Sequence, residues 1–498
     1  MRYFIGCDFG GGSCKATLLR EDGKVQATAS CEYGTSRPGP GLAEQDPEDS
    51  FRAFVKNVRS LTEELGGEAA AVEAIALSGA THTSVLLDEK DKVIRPAIYW
   101  TDIRAAREAE ELKTQHGKEI LSLALNAPGA LWTLPQLMWL RQNEPENFRR
   151  IRKILSMKDY VRYRLTGDYV TDEIEACGFM LLDVEKREWS PFLCGLAGIE
   201  PALLPKIVRP EEILSPADEK VCELCGLPAG VKVVAGATDT VMEVYASGAI
   251  RPGQATVKLA TAGRICVITE RPIIDGNIVC YPHVYPGLWY PGTATKSCAA
   301  SFRWYRDTFG DYEREHHPDA YEAMQQAAAG IAPGADGLFF HPYLQGELTP
   351  YQDERLRGSF TGICSFHTKA HFNRAVLEGI AYSLKDCFVC FREAGADIRQ
   401  ASIIGGGAKG ALWRQIVADM LGIELIKTEC DDSSLGSAML AGVACGAFDS
   451  FEESVRRCVH QDCVTRPDPE RVTFYDTEFQ TYKKIHDVLA EVYHGEAW

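Results

Sequence analysis

The strongest structural signal in the chain is YFIGCDFGGGSCKATLL, residues 3–19. An apolar run over Tyr3–Phe9 is interrupted by three glycines at 10–12, which adopt positive φ readily, and apolar residues resume over Ala16–Leu19. This pattern predicts two strands joined by a glycine turn. Asp8 stands at the end of the first strand, beside the turn.

The residues that follow predict an α/β architecture. A hairpin turn at Glu21–Lys24 leads into a third predicted strand, Val25–Glu32. Asp46 and Pro47 carry the signature of a helix start, a capping side chain followed by a proline, and apolar residues at helical spacing continue to Leu65. Strand-like and helical segments then alternate along the chain, which is typical of α/β proteins.

The strand–turn–strand pattern recurs about 250 residues later. A strand-like run at Val231–Ala235 precedes GATDT (236–240), and another run, which begins at Ala255, contains the turn LATAG (259–263). A repeat on this scale predicts two similar α/β domains. We expect the boundary near Gly248–Gly253, which gives domains at 1–247 and 248–498.

Composition excludes several classes of protein. The 498 residues carry 53 Lys and Arg against 70 Asp and Glu, and the formal charge of −17 argues against nucleic-acid binding. No apolar run is long enough to span a membrane and the N-terminus does not resemble a signal peptide, so we expect a cytoplasmic protein. Without a secretory signal the 17 cysteines are expected to be reduced thiols, and no zinc site is expected because no four zinc ligands converge in the sequence.

Three glycine-rich segments are candidates for nucleotide chemistry. In DFGGGSCK (8–15), backbone N–H groups and a hydroxyl can approach phosphate while the aspartate faces magnesium. Asp239 in GATDT follows an apolar strand, where α/β sheets place catalytic groups, but it could equally cap the next helix. IIGGGAKG (403–410) precedes a predicted helix at Ala411–Leu421, which suits a nucleotide. Each segment alone is also compatible with a structural turn.

Taken together, these segments resemble the FGGY family of carbohydrate kinases, and within it the xylulokinase-like branch. The resemblance covers about residues 3–446 and rests on motifs that follow the family's order. These motifs are the DxG hairpin, SGATH (78–82), YWTDIR (99–104), GATDT, LATAG, YLQGELTP (343–350), GSFTGICSFHTKAHFNRAVLE (358–378) and GGGAKGALWRQIVAD (405–419). The resemblance implies two RNase H-like domains of the actin-like ATPase type that face each other across a cleft, which holds ATP and sugar.

The resemblance also implies roles for individual residues. Asp239 matches the family's general base, which takes a proton from the sugar hydroxyl, and Asp8 matches the acid near Mg²⁺. The positions implied to bind ATP are Gly11, Gly12, Ser13 and Lys15 in the first phosphate hairpin, Thr261 and Gly263 in the second, and Gly405, Gly406, Gly407 and Ala408 in the nucleotide segment. The positions implied to contact the sugar are Thr81, His82, Trp100, Asp102 and Asp239. Taken alone, His82 or Trp100 would also fit a buried core.

Several residues depart from the family's usual motifs. Gly11 replaces a threonine in the first hairpin, and Ala80 and Thr81 replace the glutamine and methionine that are typical of xylulokinases. Leu348 stands where the family usually has an arginine, and Gln136 replaces a lysine. We therefore expect a roomier sugar pocket with fewer fixed hydrogen-bond partners.

The resemblance implies a kinase that uses ATP and Mg²⁺ to phosphorylate a pentulose such as xylulose, or a similar polyol, by direct in-line transfer. Alternatives are another activity of the family, on gluconate, ribulose or glycerol, a sugar sensor without turnover, and a nucleotide-driven scaffold. Asp239 favours the enzyme, whereas Gly11 and Leu348 slightly favour a sensor. A homodimer is the family-level expectation, and neither nucleic acid nor a membrane is expected as a partner.

Overall fold

The computed structural model describes residues 1–495, which form two compact units. The first unit consists of Met1–Ile250, Arg271–Trp289 and Cys430–His460, and the second of Arg251–Glu270, Tyr290–Glu429 and the chain from Gln461 onward. The main division, after Ile250, lies close to the predicted boundary between residues 247 and 248. The structure differs from that division in assigning two later segments to the first unit.

Specific contacts hold these two segments in the first unit. The side chain of Asn126 donates to the carbonyl of Cys280 and accepts from its N–H, at 3.0 and 2.8 Å. The hydroxyls of Thr17 and Ser434 lie 2.7 Å apart and are buried. These contacts join residues that are far apart in the chain, so a cut at one point of the sequence cannot describe the units.

Strands and helices alternate through most of the chain. The strands are β1 (Tyr3–Phe9), β2 (Ser13–Arg20), β3 (Val25–Glu32), β4 (Glu44–Gln45), β5 (Val72–Gly79), β6 (Ser84–Leu87), β7 (Ala97–Ile98), β8 (Lys153–Ser156), β9 (Val170–Asp172), β10 (Leu182–Asp183), β11 (Glu188–Trp189), β12 (Lys206–Val208), β13 (Lys232–Thr238), β14 (Gln254–Leu259), β15 (Gly263–Val267), β16 (Gly292–Ala294), β17 (Phe339–His341), β18 (Ser359–Thr361), β19 (Gln400–Ile404), β20 (Glu424–Thr428) and β21 (Gln461–Thr465). The helices are α1 (Pro47–Leu65), α2 (Ala106–Ala124), α3 (Thr133–Asn143), α4 (Pro145–Arg150), α5 (Met157–Thr166), α6 (Glu173–Gly178), α7 (Pro191–Ala197), α8 (Glu219–Cys225), α9 (Asp239–Ala246), α10 (Ala299–Phe309), α11 (Asp311–His316), α12 (Ala320–Ala329), α13 (Lys369–Glu393), α14 (Ala411–Leu421), α15 (Ser433–Ala444), α16 (Phe451–Cys458) and α17 (Pro469–His494). Among residues 1–495, no helix has both the length and the apolar character needed to cross a membrane.

The first unit is built on a five-stranded sheet in the order β13-β5-β1-β2-β3. The first three strands of the chain form an antiparallel meander, as the opening sequence predicts, and β5 and β13 extend it in parallel with β1. Because β1, β5 and β13 run in the same direction, their carboxyl ends meet at one edge of the sheet, where open α/β sheets place ligands.

The second unit repeats this topology. Its sheet has the order β16-β15-β14-β19-β20-β21, with β14, β15 and β16 antiparallel and β19 and β20 parallel to β14. The first five strands correspond one by one to those of the first unit, and β21 adds an antiparallel edge strand. The repeat predicted from the sequence is therefore confirmed at the level of strand order and direction.

Helix α1 shows how closely local sequence signals match the structure. The Asp46 side chain accepts from the N–H of Glu48 at 3.0 Å, and Pro47 is the first helical residue, as predicted. The buried face of the helix includes Phe51, Phe54 and Val58, which belong to the core of the first unit. The capping signal and the apolar spacing predict the start, the end and the buried face of this helix.

Helix α15 packs against β1 through a glycine. An ideal Cβ on Gly6 would lie closer than 3.0 Å to the backbone of both Ser434 and Ala438. The backbones of α15 and its neighbour α9 also approach closely at Gly436, where an added Cβ would collide with the carbonyl of Met242. Glycine at these positions allows the backbones to approach closely, and this contact anchors the returning segment 430–460 to the sheet.

The C-terminal helix α17 buries a face that is rich in aromatic and polar rings. Its buried residues are Tyr475, Phe479, Tyr482, His486 and Tyr493, whereas Val492 is 50% exposed. Two polar rings of this face have partners in the second unit: Tyr475 donates to Glu378 at 2.6 Å, and His486 stacks on the ring of Tyr351. A hydrophobicity pattern does not detect such partners.

We predict that Gly6→Ala destabilises the protein by about 1–3 kcal/mol or more, because the backbone of α15 cannot move away without losing its packing on β1. A melting curve or a urea titration measures the change. Gly117→Ala is the matched control: Gly117 lies in α2 with no atom near its would-be Cβ, and alanine there should stabilise by up to about 1 kcal/mol. Equal stability of Gly6→Ala and the wild type would contradict the packing argument.

Candidate active site

The carbonyl groups of the first glycine hairpin, between β1 and β2, accept hydrogen bonds from neighbouring residues. Tyr33 donates through its hydroxyl to the Gly10 carbonyl at 2.6 Å and through its N–H to that of Gly12 at 3.0 Å. The Gly11 carbonyl accepts from the hydroxyl of Thr35 at 2.7 Å and from the amide of Gln45 at 3.0 Å. Within residues 1–495, the N–H groups of Gly11 and Gly12 donate to no protein atom. The hairpin thus retains donors that suit a phosphate.

Asp8 lies at the carboxyl end of β1, close to other negatively charged side chains. Its Oδ1 accepts from the hydroxyl of the buried Ser78 at 2.8 Å. Burial, followed by the negative charges of Asp239 and Asp432, raises the pKa of Asp8 to about 8. The structure therefore brings together two acids that the sequence singles out, Asp8 and Asp239, and adds a third that it does not.

Asp239 is the first residue of α9, directly after β13. Thr238 occupies the cap position, and the Asp239 carboxylate accepts from the N–H and the hydroxyl of Thr240 at 2.6 and 3.2 Å. An irregularity in β13 places it there: Gly236 has φ +78°, and a Cβ on it would collide with the carbonyl of Leu77. Asp239 thus does not cap α9, the structural alternative considered from sequence. Bulges of this kind often redirect side chains next to active sites.

Lys15 forms an ion pair that the sequence does not predict. Its Nζ lies 2.8 Å from Oδ2 of Asp432, which is the capping residue of α15. The hydrogen bond and charge of Asp432 raise the pKa of Lys15. Burial alone would raise the pKa of Asp432, but hydrogen bonds from Lys15 and Ser434 hold it below its ordinary value. Lys15 is therefore charged and oriented beside the hairpin.

His82 lies in an aromatic cluster on the predicted sugar side. Its Nδ1 is 3.1 Å from the Gly178 carbonyl and its Nε2 is 3.1 Å from the Tyr281 hydroxyl. The ring of Trp132 meets the imidazole edge to face, with centroids 4.4 Å apart, and stacks with Tyr281. His82 has φ +65°, a conformation that is uncommon outside glycine and often marks functional sites.

Thr81 is held against the adjacent buried carboxylate. Its hydroxyl donates to Oε1 of Glu175 at 2.8 Å and fits against Gly178, where a Cβ would collide with it. Burial raises the pKa of Glu175 to about 8, despite Lys158, whose Nζ lies 4.0 Å from Oε2. The Thr81 hydroxyl is therefore already committed to a protein partner.

Asp102 and Trp100 occupy different environments. Asp102 is 1% exposed, and its carboxylate accepts from the N–H of Ala43 at 2.6 Å and from the guanidinium of Arg104 at 2.8–2.9 Å. Arg104 continues the network to Glu44 at 2.8 Å. Trp100, by contrast, is 41% exposed. Asp102 orients the loop after β7, whereas the Trp100 ring is accessible to a ligand.

The second hairpin, between β14 and β15, follows the same design as the first. The carbonyls of Ala260 and Thr261 accept from the N–H groups of Ala299 and Cys298 at 2.8 and 3.0 Å, at the start of α10. The N–H of Gly263 donates to the hydroxyl of Thr295 at 3.0 Å. Thr261 itself is exposed at the tip of the turn.

The third glycine segment joins β19 to α14 through a short 3₁₀ turn at Gly406–Lys409. Gly405 has φ +88°, and a Cβ on Gly407 would lie 2.6 Å from the Trp413 ring and 2.8 Å from Leu259 Cβ. The helix begins at Ala411 and ends at Leu421, as predicted. Glycines here allow the turn to pack directly against the second hairpin, while Gly406 has open space around it.

Comparison with known proteins relates this geometry to a family. A model of the N-terminal domain of the FGGY family of carbohydrate kinases matches residues 3–245, and one of the C-terminal domain matches residues 257–445. The chain belongs to the FGGY family of carbohydrate kinases. It is therefore an ATP-dependent carbohydrate kinase with the two-domain fold of the actin-like ATPases, and the family predicted from its motifs is confirmed.

Relatives of this FGGY kinase match it along its length. A xylulose kinase of Lactococcus lactis is 32% identical over 99% of this chain and 98% of the relative. A gluconokinase of Bacillus subtilis is 31% identical over 90% of this chain and 89% of the relative. The crystal structure of a "xyloylose kinase" from Brucella ovis superimposes with a TM-score of 0.92, at 29% identity, over 99% of this chain and 100% of that chain.

Several residues of the site are missed by sequence reasoning. Asp432 carries a signal that could have found it, since an aspartate before Ser-Ser and an apolar helical run is typical of a helix cap. Trp132, Glu175 and Tyr281 carry no such signal, because only long-range contacts bring them to His82 and Thr81.

We predict that Glu175→Gln changes how stability depends on pH. The folded-state pKa of about 8 lies above the unfolded value of about 4.3, so the stability due to this carboxyl is present below the unfolded pKa and lost as the pH rises through the folded one. Glutamine does not titrate and can still accept from Thr81. The melting temperature of the variant relative to wild type should therefore rise from about pH 5 to about pH 8.5.

Melting curves across that range measure the effect, with Glu110→Gln, at an exposed position on α2, as the control. A constant offset between Glu175→Gln and wild type at every pH would contradict the assignment.

Proposed function

We propose that this FGGY kinase phosphorylates a hydroxyl group of a pentulose such as xylulose, with Asp239 as the general base. The observation that carries the proposal is the convergence of Asp239, Asp8 and the first glycine hairpin at the carboxyl-end edge of one sheet. The curated relatives at about 30% identity that are named xylulose kinases support the substrate class.

Asp239 is suited to accept a proton from a sugar hydroxyl. A carboxylate acts on such a weakly acidic group mainly by positioning it and accepting its proton as the phosphoryl group is transferred. In the structure the Asp239 carboxylate is only partly buried, and its Oδ1 is oriented by Thr240. Oδ2 is therefore the oxygen that we assign to the substrate hydroxyl.

Asp8 fits a magnesium ion. Its raised pKa reflects burial and the repulsion of Asp239 and Asp432, and a divalent cation would relieve that repulsion and favour the carboxylate. Among residues 1–495, no group of three or more His, Cys, Asp or Glu side chains is arranged to hold a metal. This agrees with Mg²⁺, which is commonly held by one or two carboxylates together with phosphate oxygens and water. When bound, Mg²⁺ would neutralise negative charge on the phosphate groups.

The glycine segments supply the donors for ATP. In the first unit, Gly11, Gly12, Ser13 and the charged Lys15 would hold phosphate oxygens, since the hairpin's carbonyls are turned away into the protein. In the second unit, Thr261 and Gly263 would do the same, and Gly405–Ala408 would hold the nucleoside.

The sugar-side residues support a permissive pocket. We assign His82, Trp100 and the Trp132 and Tyr281 rings to the sugar, because aromatic faces beside polar groups recognise sugars well. Thr81 and Asp102 contribute to the pocket through Glu175 and Arg104, with which their polar atoms are already engaged. Gluconate is the second candidate, since Ala80 and the committed Thr81 leave fewer groups to discriminate, and a gluconokinase is among the relatives.

We place the reaction in the cytoplasm. The 17 cysteines are free thiols, and most of them are buried, which agrees with a reducing compartment. A homodimer stays a prediction, which sedimentation at several concentrations tests.

We predict that Asp239→Asn lowers kcat by about 10²–10⁴-fold, because asparagine keeps the shape but cannot take the proton. Sugar affinity should change little. The measurements are turnover with sugar and ATP and a calorimetric sugar titration. Asp218→Asn is the matched control, since Asp218 is an exposed cap of α8 and asparagine caps as well. Near-normal turnover in a folded Asp239→Asn protein would exclude Asp239 as the base.

We predict that xylulose shares the site with other ketoses, polyols or sugar acids. Each missing polar partner weakens discrimination by about 1–3 kcal/mol. A coupled assay of ADP release across such a panel measures this. Turnover of ATP without any dependence on sugar would favour a scaffold, and absence of turnover a sensor. A strong preference for xylulose over every other sugar would contradict the permissive pocket.

A further inference from the structure

The side chain of Tyr99 fills the space above Gly11 in the first hairpin. An ideal Cβ on Gly11 would lie closer than 3.0 Å to the Tyr99 hydroxyl oxygen and 3.0 Å from Cζ of its ring. The Tyr99 backbone cannot easily withdraw, because its N–H donates to the Ala43 carbonyl at 3.0 Å and its carbonyl accepts from the backbone N–H of Asp102 at 2.8 Å. Any residue larger than glycine at position 11 would therefore displace the phenol.

Two of the chain's departures from the family motifs surround this ring. Tyr99 packs with Ala80 and Ala43 in one buried cluster. Gly11 and Ala80 are both small where the family usually has a longer polar side chain, and both contact Tyr99. The two departures are thus parts of one rearrangement, in which a phenol occupies the space of the missing side chains.

The Tyr99 hydroxyl is an available hydrogen-bond donor. Tyr99 is 7% exposed, and within residues 1–495 its hydroxyl donates no hydrogen bond. Burial, together with the nearby charges of Asp239 and Asp8, raises its pKa to about 12, against a hydrogen bond from Trp100 that lowers it. The phenol therefore keeps its proton at neutral pH, and it lies close to both carboxylates that we assign to phosphoryl transfer.

We propose that the Tyr99 hydroxyl donates a hydrogen bond to the phosphoryl group during transfer, in place of the hydroxyl that glycine at position 11 cannot supply. This proposal rests on the proposed function, because it needs a phosphate group at the first hairpin. It makes Tyr99 a residue that touches the transferred group and not a sugar-specificity residue. A donor aimed at charge that develops in the transition state acts mainly on kcat.

Tyr99→Phe removes the hydroxyl and keeps the ring. We expect kcat for sugar-dependent ADP release to fall by about 10²-fold, with the KM for sugar little changed. Tyr163→Phe is the matched control. Tyr163 lies on the partly exposed surface of α5, and its hydroxyl donates to Asp91. A change confined to the KM for sugar would overturn the proposal in favour of a role in sugar recognition.

Nucleotide binding gives a readout that does not depend on turnover. Calorimetry with a non-hydrolysable ATP analogue and with ADP compares ligands that differ in the terminal phosphate. Tyr99→Phe should lower the affinity for the analogue by about tenfold or more, since a hydrogen bond to a charged group is lost. The affinity for ADP should not change. Wild-type affinity of Tyr99→Phe for the analogue would overturn the proposal. If no sugar in the panel supports turnover by the wild type, the proposed function fails, and this comparison still decides the role of Tyr99.

A residue swap tests the spatial argument directly. Gly11→Thr alone should lower the melting temperature, because its side chain collides with the phenol. Tyr99→Leu alone should lose kcat and analogue affinity as Tyr99→Phe does. In the double variant Gly11→Thr/Tyr99→Leu, kcat and the affinity for the analogue should recover. Its melting temperature should equal that of Tyr99→Leu. Normal stability and activity of Gly11→Thr, or no recovery in a folded double variant, would overturn the proposal, and the swap decides the case if Tyr99→Phe does not fold.

Discussion

Repulsion among Asp8, Asp239 and Asp432 is the constraint around which the first unit's site is arranged. The sheet brings the first two to one edge, and burial removes the water that would otherwise screen them. Neighbouring groups compensate the repulsion to different extents for the different carboxylates. Asp432 forms an ion pair with Lys15 and caps α15, whereas Asp8 accepts a hydrogen bond from the neutral hydroxyl of Ser78. Because the pKa of Asp8 is raised, a bound cation would favour its ionised form and relieve the repulsion from the other two carboxylates.

Close backbone approach makes this convergence possible. Gly6 admits α15 to the face of β1, and Gly236 redirects β13 so that Asp239 follows it at the sheet edge. Glycines at such positions contribute no side-chain packing. They stabilise the fold by allowing backbone contacts and turns that a side chain would block. The same principle shapes the second unit, where Gly405 and Gly407 allow the third glycine segment to pack against the second hairpin.

Local signals predicted much of the fold from sequence. The bounds of α1, α14 and β3 agree with the structure because caps, prolines and apolar spacing act within a few residues. The return of residues 271–289 and 430–460 to the first unit could not be predicted, since it depends on long-range contacts. The site follows the same rule. The glycine hairpins and Asp239 are marked in the sequence, whereas Glu175, Trp132 and Tyr281 reach His82 and Thr81 only through the fold.

Departures from a family motif gain meaning from their neighbours in space. Read singly, Gly11 suggested the loss of a phosphate ligand and so slightly favoured a sensor over an enzyme. In the structure its missing side chain is matched by a phenol from a loop about 90 residues away, and Ala80 gives that phenol room. Simple loss of the threonine hydroxyl at position 11 does not explain why a protonated phenol fills the same space near Asp8 and Asp239. Gly11 therefore does not argue against catalysis, which agrees with the membership of this chain in a family of carbohydrate kinases.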